Sequence, residues 1–145
     1  MKFFLLLSKR NLIIITALTV IIMFIWGAVC SASSARIEGS TNAKRMAFIA
    51  ELGYSADDSA ATVKEITIPS DFGEVYREYN KLQKKAGYDL SNYKAKKAQV
   101  YTYPILYENG KELHLIVVDG AIIGGDVAEI KLGGKMLGLG KKMYE

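Results

Sequence analysis

The sequence predicts an α+β fold, in which an N-terminal transmembrane helix precedes a small two-layer domain with two helices on one face of a mainly antiparallel four-stranded sheet. Three observations predict it. An apolar segment without charges lies near the N-terminus, two amphipathic segments follow it, and the turn dipeptides Asn109-Gly110 and Asp119-Gly120 separate three apolar segments in the C-terminal half. Because such dipeptides are strong signals for β-hairpins, the order of elements after the membrane segment is predicted as α-β-α-β-β-β.

The transmembrane helix is predicted for residues 12–30, a run of 19 residues without a charge that begins at Leu12 and ends at Cys30. At about 1.5 Å of rise per residue, a helix of this length spans roughly 28 Å, close to the thickness of the hydrocarbon core. Trp26 lies near its far end, where indole rings favour the membrane interface. Residues 1–11 contain three basic residues and no acid, so the positive-inside rule keeps them in the cytoplasm and exports the rest of the chain.

Two alternatives to this uncleaved signal anchor are open. The small residues Ala28, Ser31 and Ala32 are compatible with cleavage of a signal peptide, although the apolar core is longer than the roughly 7 to 15 residues that such peptides use. Cys30 is compatible with lipoprotein processing, although Gly27-Ala28-Val29 before it departs from the usual pattern. All three interpretations predict a domain outside the cytoplasm, and in the uncleaved protein the lipid bilayer is the partner of the N-terminal helix.

The charges of the exported part exclude a nucleic-acid-binding protein that works through phosphate contacts. The formal net charge is +4, but three of the 19 basic residues lie before the membrane segment. The remaining 16 accompany 15 acidic residues, so the domain lacks the basic excess that phosphate contacts need. Cys30 is the only cysteine, so the domain contains no internal disulfide and no cysteine-based metal site.

Residues 31–40 are small and polar and are predicted to form a linker, after which residues 41–145 form the extracytoplasmic domain. The first helix follows a choice of three capping residues at positions 40–42. Its apolar residues recur at helical spacing up to Gly53, which is a good residue to end a helix. A strand is predicted near residues 62–68, where apolar residues alternate before a proline.

The second helix is the most strongly marked element of the domain. Asp71 and Glu74 predict a capping box at its start, and Gly87 follows two lysines at its end. Its apolar residues form one continuous stripe that is predicted to face the core: Phe72, Val75, Tyr76, Tyr79, Leu82 and Ala86.

Two-residue turns at both dipeptides would fix the register of the last three strands. Leu106 would then face Leu113, and the opposite side of the sheet would carry Tyr101, Tyr103, Tyr107 and His114. Because the aliphatic side is the drier one, the tyrosine-bearing side is predicted to be partly exposed and to be the interaction face. A shift of one residue in either turn would exchange the two sides. The glycine-rich tail from residue 132 is predicted to be irregular.

Three segments resemble a known family: RMAFIAELGY, the stretch from EITIPSDF to KKAQVYTY, and VVDGAIIGGDVAEIKLGGKMLGL. Over roughly residues 45–139 the chain resembles the domain-of-unknown-function family 4830. The most specific parts are the IP-x-x-F start of the second helix, the GYDLSNY turn and the DGAIIGGD hairpin. The resemblance implies a small bacterial envelope protein with one N-terminal membrane segment and an outer domain. It implies no activity and no functional residues.

No catalytic, cofactor-binding or metal-binding constellation is predicted. His114 is the only histidine, so a nucleophilic triad based on histidine would have to use it, and no cysteine in the domain could be the nucleophile. The glycine-rich segments match neither a P-loop nor a dinucleotide fingerprint. Asp126 follows Gly124-Gly125 inside an apolar strand, which predicts a bulge or a close backbone approach, with the acid bonded to nearby N–H groups.

The sequence therefore predicts a membrane-tethered extracytoplasmic interaction or sensing module that is not an enzyme and uses no cofactor. Its partner would be a protein, peptide or envelope component bound through the tyrosine-bearing face. No oligomeric state follows from the sequence. Two alternatives stay open: a small envelope hydrolase that uses carboxylates such as Asp119 and Asp126, and a structural protein that self-associates through a sheet edge or face.

Overall fold

Residues 36–140 are described by the computed structural model, and they form six strands and two α-helices in the order β-α-β-α-β-β-β-β. The helices are α1 (Asn42–Glu51) and α2 (Glu74–Lys85), and a short 3₁₀ helix covers Leu90–Tyr93. The strands are β1 (Ile37–Glu38), β2 (Thr62–Thr67), β3 (Lys97–Pro104), β4 (Lys111–Val118), β5 (Ala121–Glu129) and β6 (Met136–Gly138). The predicted α+β class is confirmed, but the described part of the chain has six strands rather than four.

The two additional strands both pair with β5. The sheet order is β1-β5-β4-β3-β2, with β6 also paired to β5, and all pairs are antiparallel. Strand β1 lies within the predicted linker, and β6 lies within the tail that was predicted to be irregular. These strands have two and three residues, which is too short for an alternating pattern to be visible in the sequence.

The predicted transmembrane helix, with Leu12, Trp26 and Cys30, lies outside the described residues, as do residues 31–35 of the predicted linker. Within residues 36–140, no helix is long and apolar enough to cross a membrane. The longer of the two described α-helices, α2, has 12 residues.

The two helices begin differently. Thr41 caps α1, because its hydroxyl accepts a hydrogen bond from the backbone N–H of Lys44 at 3.3 Å, and it is one of the three predicted capping residues. The capping box predicted from Asp71 is wrong, since α2 begins at Glu74 after Gly73 and no side chain caps it. An acid in the first turn and two lysines in the last turn suit the dipole of this helix.

The register between β3 and β4 differs from the prediction, because the turn at Asn109-Gly110 is not a two-residue hairpin. Strand β3 ends at Pro104, and residues 105–110 form a longer loop. Tyr107 adopts a left-handed conformation in this loop, with a φ of 64°. The dipeptide marks the end of the loop correctly, but the loop begins earlier than predicted and includes this left-handed residue.

The longer loop exchanges the faces of β3. Tyr103 pairs with Leu113, and Thr102 pairs with His114. Because a shift by an odd number of residues moves every side chain of a strand to the other face, Tyr101 and Tyr103 lie on the face opposite to His114. The other predicted turn, between β4 and β5, is confirmed as a two-residue turn, and both of its residues have positive φ.

The two helices pack on opposite faces of the sheet, so the predicted two-layer arrangement is wrong. Helix α1 covers the face whose buried core includes Ile49, Leu52, Tyr103, Leu113, Leu115, Val117 and Ile122. Helix α2 lies on the other face, where the buried core includes Ile68, Leu90, Ala98, Ile116, Val118 and Ile123. The central strands carry apolar side chains on both faces, so each face needs its own cover.

Candidate functional site

An open cavity lies between α2 and the sheet face on which this helix packs. Its volume is about 600 Å³, within the range of small-molecule sites in proteins. The helix contributes Val75, Tyr76, Glu78, Tyr79 and Leu82 to the lining, and the strands contribute Ile66, Val100, His114, Ile116, Asp126 and Met136. The strand residues come from β2, β3, β4, β5 and β6, so the cavity runs across the sheet beneath the helix.

The apolar stripe of α2 forms the helical wall of this cavity instead of a closed core. Val75 is 83% exposed, and Tyr76 and Tyr79 are only partly buried. The two buried residues of this helix are polar, namely Asn80 and Gln83. The prediction that the whole stripe faces the core is therefore wrong, and part of its apolar surface is left open to a ligand.

Gln83 holds α2 on the sheet at the glycine pair of β5. Its side-chain amide donates to the carbonyl of Gly125 at 2.8 Å and accepts from the N–H of the same residue at 2.9 Å. A methyl group at Gly124 would lie 2.6 Å from the amide oxygen of Gln83, so this approach requires glycine. The strand pairing shifts here, opposite Ile116 and Val117 of β4, and the predicted bulge with its close backbone approach is confirmed.

The bulge brings Asp126 beneath α2, where the residue is 4% exposed and its carboxylate is bonded to side chains from two elements. Tyr79 donates a hydrogen bond to one carboxylate oxygen, Oδ2, at 2.6 Å, and His114 Nδ1 lies 2.9 Å from the other, Oδ1. The second ring nitrogen of His114, Nε2, lies 3.6 Å from a carboxylate oxygen of Glu112. The partners of Asp126 are therefore a hydroxyl and an imidazole, not the backbone N–H groups predicted from the sequence.

These contacts raise the pKa of two groups that border the cavity. Burial, together with the negative charge of Asp126, raises the pKa of the Tyr79 hydroxyl far above its ordinary value, so the hydroxyl remains a donor. The hydrogen bond with Asp126 raises the pKa of His114 above its ordinary 6.5, and this outweighs the opposite effect of burial. Protonated His114 and Asp126 form an ion pair in which each charge balances the other.

The arrangement is suited to holding a ligand and a proton rather than to attack by a nucleophile. A nucleophilic triad places a hydroxyl or thiol next to the free nitrogen of its histidine, whereas Nε2 of His114 lies near the carboxylate of Glu112. Glu78, which also borders the cavity, has an exposed side chain that is bonded to Lys81 at 2.6 Å. Within the part of the chain that the structure describes, no group of three or more His, Cys, Asp or Glu side chains is placed to hold a metal ion.

The four residues of the predicted interaction face do not form one surface. Tyr103 is completely buried, and its hydroxyl accepts a hydrogen bond from Nε of Arg45 at 2.8 Å. Tyr101 lies under the same guanidinium, whose carbon is 3.6 Å from the ring centroid. Tyr107 is 94% exposed in the loop after β3, and His114 lines the cavity on the opposite side of the sheet.

The two carboxylates of the predicted hydrolase alternative do not meet in this cavity. Asp119 lies in the exposed turn between β4 and β5, where it is 3.7 Å from the ammonium group of Lys96. It does not contribute to the cavity lining, whereas Asp126 does. His114 and Asp126 are the two earlier candidates that the fold brings together.

The sequence did not identify the roles of Tyr79 and Gln83. Tyr79 belongs to the apolar stripe of α2, and helical spacing gives no sign that its hydroxyl bonds an acid on a strand. Gln83 is a polar residue next to the stripe, and only the glycine pair of β5 indicates that another group approaches the backbone there.

One protein family matches the region of the chain that contains most of the cavity. The family described as "Domain of unknown function (DUF4830)" matches residues 48–127, which is more than half of the chain. Every residue named above as lining the cavity lies within this region, with the exception of Met136. No curated protein and no solved structure matches the chain.

Proposed function

We propose that this chain, which belongs to the family with the domain of unknown function DUF4830, is a membrane-tethered extracytoplasmic binding or sensing module without catalysis of its own. A single-pass helix at residues 12–30 would hold it in the cell membrane, with residues 1–11 in the cytoplasm. Its ligand would occupy the cavity beneath α2.

The observation that carries this proposal is the apolar stripe of α2, part of which is left open above the sheet. A surface helix normally buries such a stripe against its own core. Here Val75, Tyr76 and Leu82 border a cavity of about 600 Å³ instead. Because Gln83 fixes the same helix to β5, the cavity is a built feature of the fold, and an apolar surface of this kind is typical of a binding site.

The bonding of the polar groups supports binding without turnover. Asp126 is bonded to Tyr79 and His114, so its two carboxylate oxygens are already used within the protein. Proton transfer to a substrate would require one of these bonds to break. The hydrolase alternative lacks comparable support, because Asp119 lies in an exposed turn outside the cavity.

The location is tested by the reactivity of single cysteines. In a Cys30→Ser background the chain has no cysteine, and Ala60→Cys or Ser8→Cys then adds one in the domain or in the N-terminal segment. We expect a membrane-impermeant maleimide to label Ala60→Cys in spheroplasts and to label Ser8→Cys only after lysis. Protection of Ala60→Cys in spheroplasts would contradict the proposed topology.

The binding function is tested by molecules that copurify with the full chain. Val100→Phe adds a ring to the floor of the cavity, whereas Val63→Phe makes the same change on β2, where Val63 pairs with Tyr101 and faces away from the cavity. Mass spectrometry of extracts should find a molecule that accompanies the wild type and Val63→Phe but is reduced roughly tenfold in Val100→Phe, which corresponds to about 1.4 kcal/mol. If no copurifying molecule depends on Val100, the cavity is not the site.

A further inference from the structure

The cavity has the shape that an extended chain would fill. Its strand residues begin with Ile66 on β2 and end with Met136 on β6, and three further strands lie between them. Neighbouring strands are about 4.8 Å apart, so these four spacings correspond to roughly 19 Å. A ligand that uses the whole site is therefore elongated.

The part of the cavity above β2 and β3 is lined by hydrocarbon. Ile66 and Val100 form its floor, and Val75 forms its outer lip. Glu78 is the charged residue of the lining on this side; its side chain is 64% exposed, and its carboxylate is already paired with the ammonium group of Lys81. This part can hold a ligand through burial of apolar surface, which contributes about 25 cal/mol for each Å² removed from water.

The part above β4 and β5 contains His114 and Asp126 beside the apolar Ile116, and neither polar side chain has an unpaired charge. Tyr79 and His114 already bond both carboxylate oxygens of Asp126. A ligand ammonium would lie beside the imidazolium, and a ligand carboxylate would lie beside Asp126 and Glu112. Either charge would lose hydration without gaining a free partner, whereas a hydroxyl or carbonyl group needs only one hydrogen bond.

We infer that the ligand is an uncharged amphiphile, with a single apolar chain that lies across the strands and a hydroxyl or carbonyl group beside Tyr79 and His114. This inference rests on the proposed function, because it names the chemical class of ligand for the same cavity. The apolar chain contacts Ile66, Val75 and Val100, and the polar end exchanges a hydrogen bond with the side chains around Asp126.

The test uses the full chain in lipid nanodiscs and three photoreactive probes. All three carry the same alkyl chain with a diazirine, and they differ only in their polar end, which is a hydroxyl, a carboxylate or a trimethylammonium group. After irradiation, mass spectrometry of peptides measures the labelling of α2 and β6. Labelling of residues 12–30 provides an internal reference for how much of each probe enters the nanodisc.

We expect the hydroxyl probe to label α2 roughly tenfold more than either charged probe, relative to the reference. Val100→Phe should remove this labelling, and Val63→Phe should retain it. The near-ultraviolet circular dichroism of the tyrosines reports whether each variant is folded. If Val100→Phe alters this spectrum, Val75→Glu replaces it, because Val75 is 83% exposed at the lip of the cavity.

The other outcomes separate the ligand class from the function. Equal or stronger cavity labelling by a charged probe would overturn the inferred class and leave the proposed binding function in place. If no probe gives labelling that depends on Val100 or Val75, the cavity is not a binding site, and both the inference and the proposed function fail.

Discussion

The two faces of the sheet differ in how they accommodate buried polar groups. On the α1 face, the hydroxyl of Tyr103 lies in a closed core and is bonded to Arg45 and Asn42 of the helix. On the α2 face, Asp126 is also buried, but its partners Tyr79 and His114 border an open cavity. The comparison indicates that one face stabilises the domain, while the other carries a polar network to the edge of a site that can admit a ligand.

The difference follows from how α2 is attached. Gln83, near its C-terminal end, is completely buried at the glycine pair of β5, whereas Val75, near its N-terminal end, is 83% exposed. Gly138 on β6 also lies close to this end, because a methyl group added at this glycine would be 3.0 Å from the carbonyl oxygen of Leu82. The helix is therefore packed closely at one end, and its apolar stripe is left partly open toward the other.

The largest expected effect comes from Gly124→Ala, which disrupts the attachment of α2 through Gln83. The added methyl group would lie 2.6 Å from the side-chain oxygen of Gln83, which accepts the backbone N–H of Gly125, and 3.2 Å from a methyl group of Leu90. Overpacking of this severity should lower the free energy of unfolding by about 3 kcal/mol. The measurement is urea unfolding of the full chain in nanodiscs, followed by the circular dichroism of its tyrosines.

Gly73→Ala is the matched control for this substitution. A methyl group at Gly73 would meet no atom within 4 Å, and this residue caps α2 without a side-chain bond. Its cost should stay below about 1 kcal/mol. Equal costs for the two glycines would contradict the role assigned to the approach between α2 and β5.

A smaller effect on the free energy of unfolding is expected when one tyrosine on each face is replaced with phenylalanine. Tyr103→Phe leaves the buried guanidinium of Arg45 without its hydroxyl partner and should cost about 2 kcal/mol. Tyr79→Phe also removes a bond, to Asp126, but the open cavity admits water in its place, so we expect about 1 kcal/mol. Tyr107→Phe, at a position that is 94% exposed, should leave stability unchanged. The same urea unfolding measures all three, and a larger cost at Tyr79 than at Tyr103 would reverse the comparison.

Much of the fold could be predicted because its signals are local. The capping residue of α1, the limits of β4 and the two-residue turn before β5 each depend on a few neighbouring residues. The register of β3 could not be predicted in the same way. It depends on a six-residue loop, and nothing in its sequence requires Tyr107 to adopt a left-handed conformation.

The site was less predictable than the fold, because its residues meet only through register and helix packing. The glycine pair before Asp126 correctly predicted that another group approaches the backbone of β5. It did not identify that group, which is the side chain of Gln83. His114 and Asp126 face each other because β4 and β5 pair them directly. The error in the register of β3 grouped His114 with Tyr101 and Tyr103, and this produced an interaction face that the fold does not form.

The smallest expected effect is a dependence of stability on pH that belongs to the α2 face. His114 is the only histidine of the chain, and its hydrogen bond with Asp126 raises its pKa in the folded state above 6.5. Because the folded pKa is raised, the stabilising contribution of the protonated ring is complete below about pH 6.5 and is lost as the pH rises through the folded value. We expect the full chain to resist urea better at about pH 5.5 than at about pH 8.5.

His114→Gln separates this contribution from the titration of other groups. Glutamine can still donate a hydrogen bond to Asp126, but it has no charge to lose, so the decrease in stability between the two pH values should become smaller in this variant. Tyr103→Phe, on the other face, should lower the stability by the same amount at both pH values and leave the decrease intact. If the decrease in stability between the two pH values is unchanged in His114→Gln, its origin lies outside the cavity. If Tyr103→Phe abolishes the decrease, the two faces are coupled through the sheet. A change in the closed core would then alter the protonation of His114, which lies beside the open cavity.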